Sequence, residues 1–117
     1  SNLTYALHSY NIRTHLETSG VHELSGKWDW VCFSPKKFKT PLPSIYEFAN
    51  ELKVVIYNHS DLAWADEHAK KVNSDCELFL QPEWSKREKV TPLIIDKIKN
   101  DPKWSISIQT HKYINIP

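Results

Sequence analysis

Residues 51–82, "ELKVVIYNHSDLAWADEHAKKVNSDCELFLQP", decide the fold. The opening run, Glu51 to Asn58, is rich in β-branched side chains, which fit a pleated surface better than a helix and so predict a strand. Ser60 then offers an N-cap, and Asp61 puts negative charge in the first helical turn, where the backbone dipole favours it. Leu62, Ala65, Ala69 and Val72 recur at helical spacing and predict an inward stripe. "CELFLQP" is short and apolar, a second strand. Strand, helix and strand at this spacing form a βαβ unit, whose two strands run parallel through a right-handed crossover.

Working outward, the same alternation repeats. "LTYALHSY" places Leu3, Ala6, Leu7 and Tyr10 at helical spacing, with Asn11 as a stop. Ile12, Thr14 and Leu16 alternate with Arg13, His15 and Glu17, a strand broken by Ser19-Gly20. "WDWVCFSPK" is a strand stopped at Ser34-Pro35. "PSIYEFAN" predicts a short helix with Pro43 near its start and Ile45, Phe48 and Ala49 on one face. On the carboxyl side, "SKREKVTPLIIDKIKN" predicts a helix in which Pro92 lies either near a start capped by Thr91 or at a kink in a longer helix, and Asp101-Pro102 ends it. "KWSISIQTHK" is the fifth strand. The fold class is therefore α/β, a mostly parallel sheet of about five strands with flanking helices, in one domain over residues 1–117.

Composition excludes several function classes. With 15 Lys and Arg against 14 Asp and Glu, the net charge is +1, so the basic footprint of nucleic-acid binding is missing. No apolar run approaches the roughly 20 residues that span a bilayer, and no charged-then-apolar leader opens the chain, so a cytoplasmic protein is expected. Cys32 and Cys76 sit in apolar runs and read as buried free thiols. The six histidines have no metal-ligand spacing with cysteine partners. The "SKREK" run reads as a solvated helix face, and the five tryptophans as core and rim packing, with Trp84 able to flank a ligand.

The strand ends are unusual. Strand one ends in Glu17-Thr18-Ser19-Gly20, strand two in Ser34-Pro35-Lys36, strand three in Asn58-His59, strand four in Gln81-Pro82-Glu83 and strand five in Gln109-Thr110-His111-Lys112. In parallel sheets ligands bind at the carboxyl ends of the strands. Taken singly, Thr18, Ser34 or Gln81 is an ordinary loop polar group, but together they suit a polar, hydrogen-bonding small molecule. No nucleophile elbow or oriented imidazole marks a catalytic residue.

The segments "THLETSG", "DWVCFSPKK", "ELKVVIYN", "LFLQPEW" and "SIQTHKYINIP" resemble, in order and spacing, the carboxyl-terminal half of the 7-carboxy-7-deazaguanine synthase family, which are radical S-adenosylmethionine enzymes. The resemblance covers nearly the whole chain, with Ser19 standing where the family carries Asn in Glu-Thr-Asn-Gly. It implies a partial (βα) barrel and a lyase that converts 6-carboxy-5,6,7,8-tetrahydropterin to 7-carboxy-7-deazaguanine in queuosine biosynthesis. The implied cofactors are S-adenosylmethionine, a [4Fe-4S] cluster and Mg2+.

Carried over by position, Gly20, Ser34, Pro35, Lys36, Gln81, Pro82, Glu83 and Trp84 would bind S-adenosylmethionine, and Thr18, His111 and the Pro117 carboxylate would face the pterin. The family's Cys-x3-Cys-x2-Cys loop and Gly-Gly-Glu-Pro segment have no counterpart here. Cluster and Mg2+ ligands are thus expected to be absent, the amino-terminal cluster-binding half to be missing through truncation or proteolysis, and the chain to be inactive alone. Unpaired sheet edges predict either self-pairing into a homodimer or a rearranged edge. A glycyl-radical activase fragment and a non-catalytic nucleotide-binding module are the competing readings.

Overall fold

A computed structural model of the chain describes residues 15–22 and 28–108. The expected helix at residues 3–10, the start of the first strand and the Gln109 to Pro117 ending lie outside the described residues. Five strands follow in chain order: β1 (His15–Thr18), β2 (Trp30–Phe33), β3 (Glu51–Ile56), β4 (Glu77–Pro82) and β5 (Trp104–Ile106). Three helices are described, α1 (Ile45–Phe48), α2 (Asp61–Ala69) and α3 (Arg87–Asn100), the last preceded by a 3-10 turn at Trp84–Lys86. The strands make one sheet in the order β1-β2-β3-β4-β5. No helix among the described residues is long and apolar enough to cross a membrane.

The chain divides into two compact units, Ser1–Leu52 with Lys71–Glu77, and Lys53–Lys70 with Leu78–Pro117. In the first, β1 and β2 pair in parallel with Thr18 opposite Phe33, and β2 pairs in parallel with the start of β3 through Cys32 opposite Glu51. Asn50 fixes the entry to β3 twice over. Its side-chain oxygen accepts the Val31 N–H at 2.7 Å, and its backbone N–H donates to the Val31 carbonyl at 2.9 Å. The Trp30 indole donates to the Glu51 carboxylate beside this point. Buried Phe33, Val31, Ile45, Ala49 and Leu52 form this unit's core. Phe48 departs from its expected place on the buried face of α1 and is 57% exposed: a helix of barely one turn hides only its first residue, Ile45, and the capping Ala49 just past its end.

In the second unit, β4 and β5 pair in parallel with Leu80 opposite Ile106. Val54, Ile56, Leu62, Ala65, Leu80, Val90, Ile94 and Trp104 are buried. β3 alternates between half-buried and buried residues rather than being buried on both faces. The inward stripe of α2 differs in part from the expectation. Ala69 is only half-buried and Val72 lies past the helix end, while His68 is buried with its ring edge-to-face with Trp64 at 5.0 Å. Pro92 falls inside α3, so the longer helix is the outcome and one backbone N–H of its ladder is missing.

The start of β5 is fastened by polar groups. Lys97 Nζ reaches Asp66 at 2.7 Å and Asp101 at 3.6 Å, and the buried Trp104 indole donates to Asp66 at 3.3 Å. α2, α3 and β5 therefore share one carboxylate.

Candidate functional site

Two groups of strand-end residues carry the sequence expectations, one in each unit. In the first, Thr18 and Ser34 are joined through main chain: the Ser34 N–H donates to the Thr18 carbonyl at 2.8 Å, extending the β1–β2 ladder past the strands. The Thr18 hydroxyl then accepts the Gly20 N–H at 3.0 Å, and the Gly20 carbonyl accepts from Leu42 N–H at 2.7 Å. Gly20 has φ +78°, and a Cβ there would meet Phe33 Cε1 at 3.0 Å and Ile45 Cγ2 at 3.1 Å. Only glycine meets both demands.

Ser34 and Pro35 are buried and Lys36 is exposed. Ser34 is 3% exposed, yet its hydroxyl has no hydrogen-bond partner among the described residues. Beyond it the chain turns through Lys36-Lys37-Phe38-Lys39, closed by a 3.2 Å bond from the Lys39 N–H to the Lys36 carbonyl, and leaves Phe38 fully exposed.

A cavity of about 630 Å³ in this unit touches Gly20 but none of Thr18, Ser34, Pro35 or Lys36. Its walls include Trp28 and Asp29, which precede β2, and Asn50, which precedes β3. Its lining thus draws on Gly20, just past the carboxyl end of β1, as well as on residues at the amino ends of β2 and β3.

In the second unit the loop after β3 is held by Asp61. Asp61 is 1% exposed, and its carboxylate accepts the N–H groups of Tyr57 and Asn58 at 2.7 and 3.2 Å. The Ser60 hydroxyl makes no capping bond and instead donates to the Asn58 side chain, so the expected N-cap gives way to a brace one residue later. The Glu83 N–H donates to the Ile56 carbonyl at 2.9 Å, drawing the end of β4 to the end of β3.

Gln81 and Pro82 are buried, while Glu83 and Trp84 are half-buried. The Glu83 carboxylate accepts the Ser85 hydroxyl. Arg87 stacks its guanidinium over the Trp84 ring at 4.0 Å and donates to the Trp84 carbonyl at 2.7 Å, so one face of that ring is occupied by the protein itself. Gln81 is 5% exposed, and its Oε1 accepts the Ser107 hydroxyl at 3.3 Å. Its amide nitrogen has no acceptor among the described residues.

Buried polar groups are almost always paired, and the exceptions mark places where something else supplies the partner. The two unpartnered buried groups described here, the Ser34 hydroxyl and the Gln81 amide nitrogen, both sit at positions that the family resemblance assigns to S-adenosylmethionine. Sequence reasoning missed Asp61 as a loop brace and Ser107 altogether. The alternation Ser105, Ile106, Ser107, Ile108, with one polar face, was the signal for the latter. His111 and Pro117 lie outside the described residues.

Cys32 and Cys76 are buried and free, as expected. Burial, followed by the nearby Asp75, Glu51 and Glu77 carboxylates, pushes the Cys76 thiol up to about 11. No group of three or more His, Cys, Asp or Glu that could hold a metal ion occurs among the described residues.

No family model matches the chain. A curated relative, the 7-carboxy-7-deazaguanine synthase of Flavobacterium psychrophilum, is 55% identical over 115 residues, which are 98% of this chain and 55% of the relative. The chain resembles the carboxyl-terminal half of a 7-carboxy-7-deazaguanine synthase. The enzyme of the same name from Synechocystis is 41% identical over 97% of this chain and 54% of its own length. The crystal structure of QueE from Escherichia coli superposes with a TM-score of 0.76 at 29% identity, covering 92% of this chain and 48% of that one. The chain thus spans about half the length of the curated synthases it matches, and its five-stranded α/β fold is similar to that of the carboxyl-terminal half of QueE.

Proposed function

We propose that the chain is the carboxyl-terminal portion of a radical S-adenosylmethionine lyase. The lyase works in the cytoplasm and converts 6-carboxy-5,6,7,8-tetrahydropterin to 7-carboxy-7-deazaguanine on the way to queuosine. The observation that carries this reading is the pair of buried polar groups without partners among the described residues, Ser34 Oγ and Gln81 Nε2, at positions that the family resemblance assigns to S-adenosylmethionine.

Under this reading Ser34 and Lys36 bind polar groups of S-adenosylmethionine, with Pro35 shaping the turn between them. Gly20 keeps the backbone after β1 tight. Gln81 donates from its amide, while Pro82, Glu83 and Trp84 line the same cofactor. Thr18 faces the pterin, together with His111 and Pro117. S-adenosylmethionine brings the 5′-deoxyadenosyl group that the family's chemistry uses.

The residues present do not fit an iron-sulfur cluster. Such a cluster needs a set of thiolates, and the chain has two cysteines, one of them with its thiol held protonated by burial and neighbouring carboxylates. The cluster and Mg2+ are therefore assigned to the half of the synthases that this chain does not span, and the chain is inactive by itself.

The test is to titrate S-adenosylmethionine and the pterin separately into the 117-residue protein and follow backbone amide shifts. Binding of both ligands is expected. An S-adenosylmethionine response confined to residues away from Ser34 and Gln81, or none at all, overturns the reading. Binding of any adenine nucleotide but not the pterin would favour a non-catalytic nucleotide-binding module. Cleavage of S-adenosylmethionine by the reconstituted chain would refute its inactivity.

A further inference from the structure

Gln81 is 5% exposed at the end of β4, and its orientation is set by one contact. In the β4–β5 pairing Leu80 lies opposite Ile106, and the Ser107 N–H donates to the Leu80 carbonyl at 2.9 Å, which continues the ladder one residue beyond β5. That continuation puts Ser107 beside Gln81 on the same face of the sheet, where its hydroxyl donates to Gln81 Oε1 at 3.3 Å. An amide whose oxygen is engaged on one side presents its two N–H donors on the other. Those donors are buried with no acceptor among the described residues.

We propose that Ser107 is a positioning residue that holds the Gln81 amide with its nitrogen toward the ligand, so that the site selects a hydrogen-bond acceptor on S-adenosylmethionine. The inference rests on the proposed function, since it takes the ligand from that reading. It goes further in assigning a residue that the family resemblance does not mark and in fixing the polarity of the contact. At 3.3 Å the Ser107 bond is long for O–H···O, and a ligand accepting from the amide nitrogen polarises the carbonyl end and tightens it.

The experiment measures S-adenosylmethionine binding to the 117-residue protein by NMR titration, with the Gln81 side-chain amide pair as the reporter. In the wild type the pair shifts on binding. Ser107→Ala weakens binding about three- to tenfold, the loss of one ordinary hydrogen bond. Ser107→Thr, which keeps the hydroxyl, restores it. Gln81→Glu keeps the shape and the acceptor for Ser107 but removes the donors, and weakens binding more than Ser107→Ala does. Combining Ser107→Ala with Gln81→Ala costs no more than Gln81→Ala alone, because the serine acts through the glutamine.

Wild-type affinity in Ser107→Ala, or unchanged binding in Gln81→Glu, overturns the inference while leaving the proposed function intact. A wild-type protein that does not bind S-adenosylmethionine overturns both.

Discussion

At the ends of β1 and β2 main-chain bonds hold the polar residues, Ser34 N–H to the Thr18 carbonyl and Leu42 N–H to the Gly20 carbonyl, and the Thr18 hydroxyl adds a side-chain contact to the Gly20 N–H. At the ends of β3, β4 and β5 side chains do most of this work: Asp61 on two backbone N–H groups, Ser107 on Gln81, Ser85 on Glu83, Arg87 on Trp84. The first edge depends mainly on backbone shape. The second fixes its side chains in advance and depends on their identity. A backbone-shaped edge tolerates most substitutions except where the backbone itself is unusual, whereas an edge shaped by side chains responds to each partner removed.

Gly20→Val is the hardest blow to the first edge. It puts a β-branched residue at φ +78° and drives its Cβ into Phe33 and Ile45, and we expect a loss of roughly 3 kcal/mol in urea unfolding. Asp61→Ala is the matching blow to the second. It removes a buried carboxylate from the N–H groups of Tyr57 and Asn58 and is expected to cost about 2 kcal/mol, with faster hydrogen exchange at those two amides. Should Gly20→Val prove mild and Asp61→Ala severe, the contrast between the edges would be reversed.

Asp66→Ala, which frees Lys97 and the Trp104 indole, is expected to cost about 1–2 kcal/mol, less than Asp61→Ala because Asp66 and Lys97 both retain some solvent. Thermal unfolding followed by Trp fluorescence measures it. A smaller effect concerns the first unit alone. Cys76 is expected to resist iodoacetamide at neutral pH and to react only as its thiol titrates near 11. Because the folded protein keeps this proton above the ordinary thiol range, the unfolded chain loses it first, and stability falls as pH rises from about 9 toward 11. A Cys76→Ala protein lacks that component of the alkaline decline.

Much of the architecture was legible in the sequence because burial and period agree. The β-branched run at 51–56, the short apolar runs at 30–33 and 77–82, and the helical stripe beginning at Leu62 each point to one element, and the structure has them there. What local pattern could not reveal depended on neighbours distant in sequence. Phe48 looks buried by spacing, but the helix is too short to cover it. Ser60 looks like a cap, but the buried Asp61 beside it makes stronger bonds to the preceding loop. Ser107 looks like filler in a strand until β4 brings Gln81 alongside. At the site, the types of residue at the strand ends were readable from parallel-sheet logic. Which of them lack a protein partner was not, since that is a property of the assembled packing.

The turn at Lys36-Lys37-Phe38-Lys39, with its phenylalanine wholly in solvent, has a practical consequence. It sets three trypsin-cleavable bonds on an exposed loop directly after Ser34 and Pro35. Proteolysis at this loop should slow when a small molecule occupies the neighbouring serine, so a timed digest read by mass spectrometry gives a label-free gauge of occupancy.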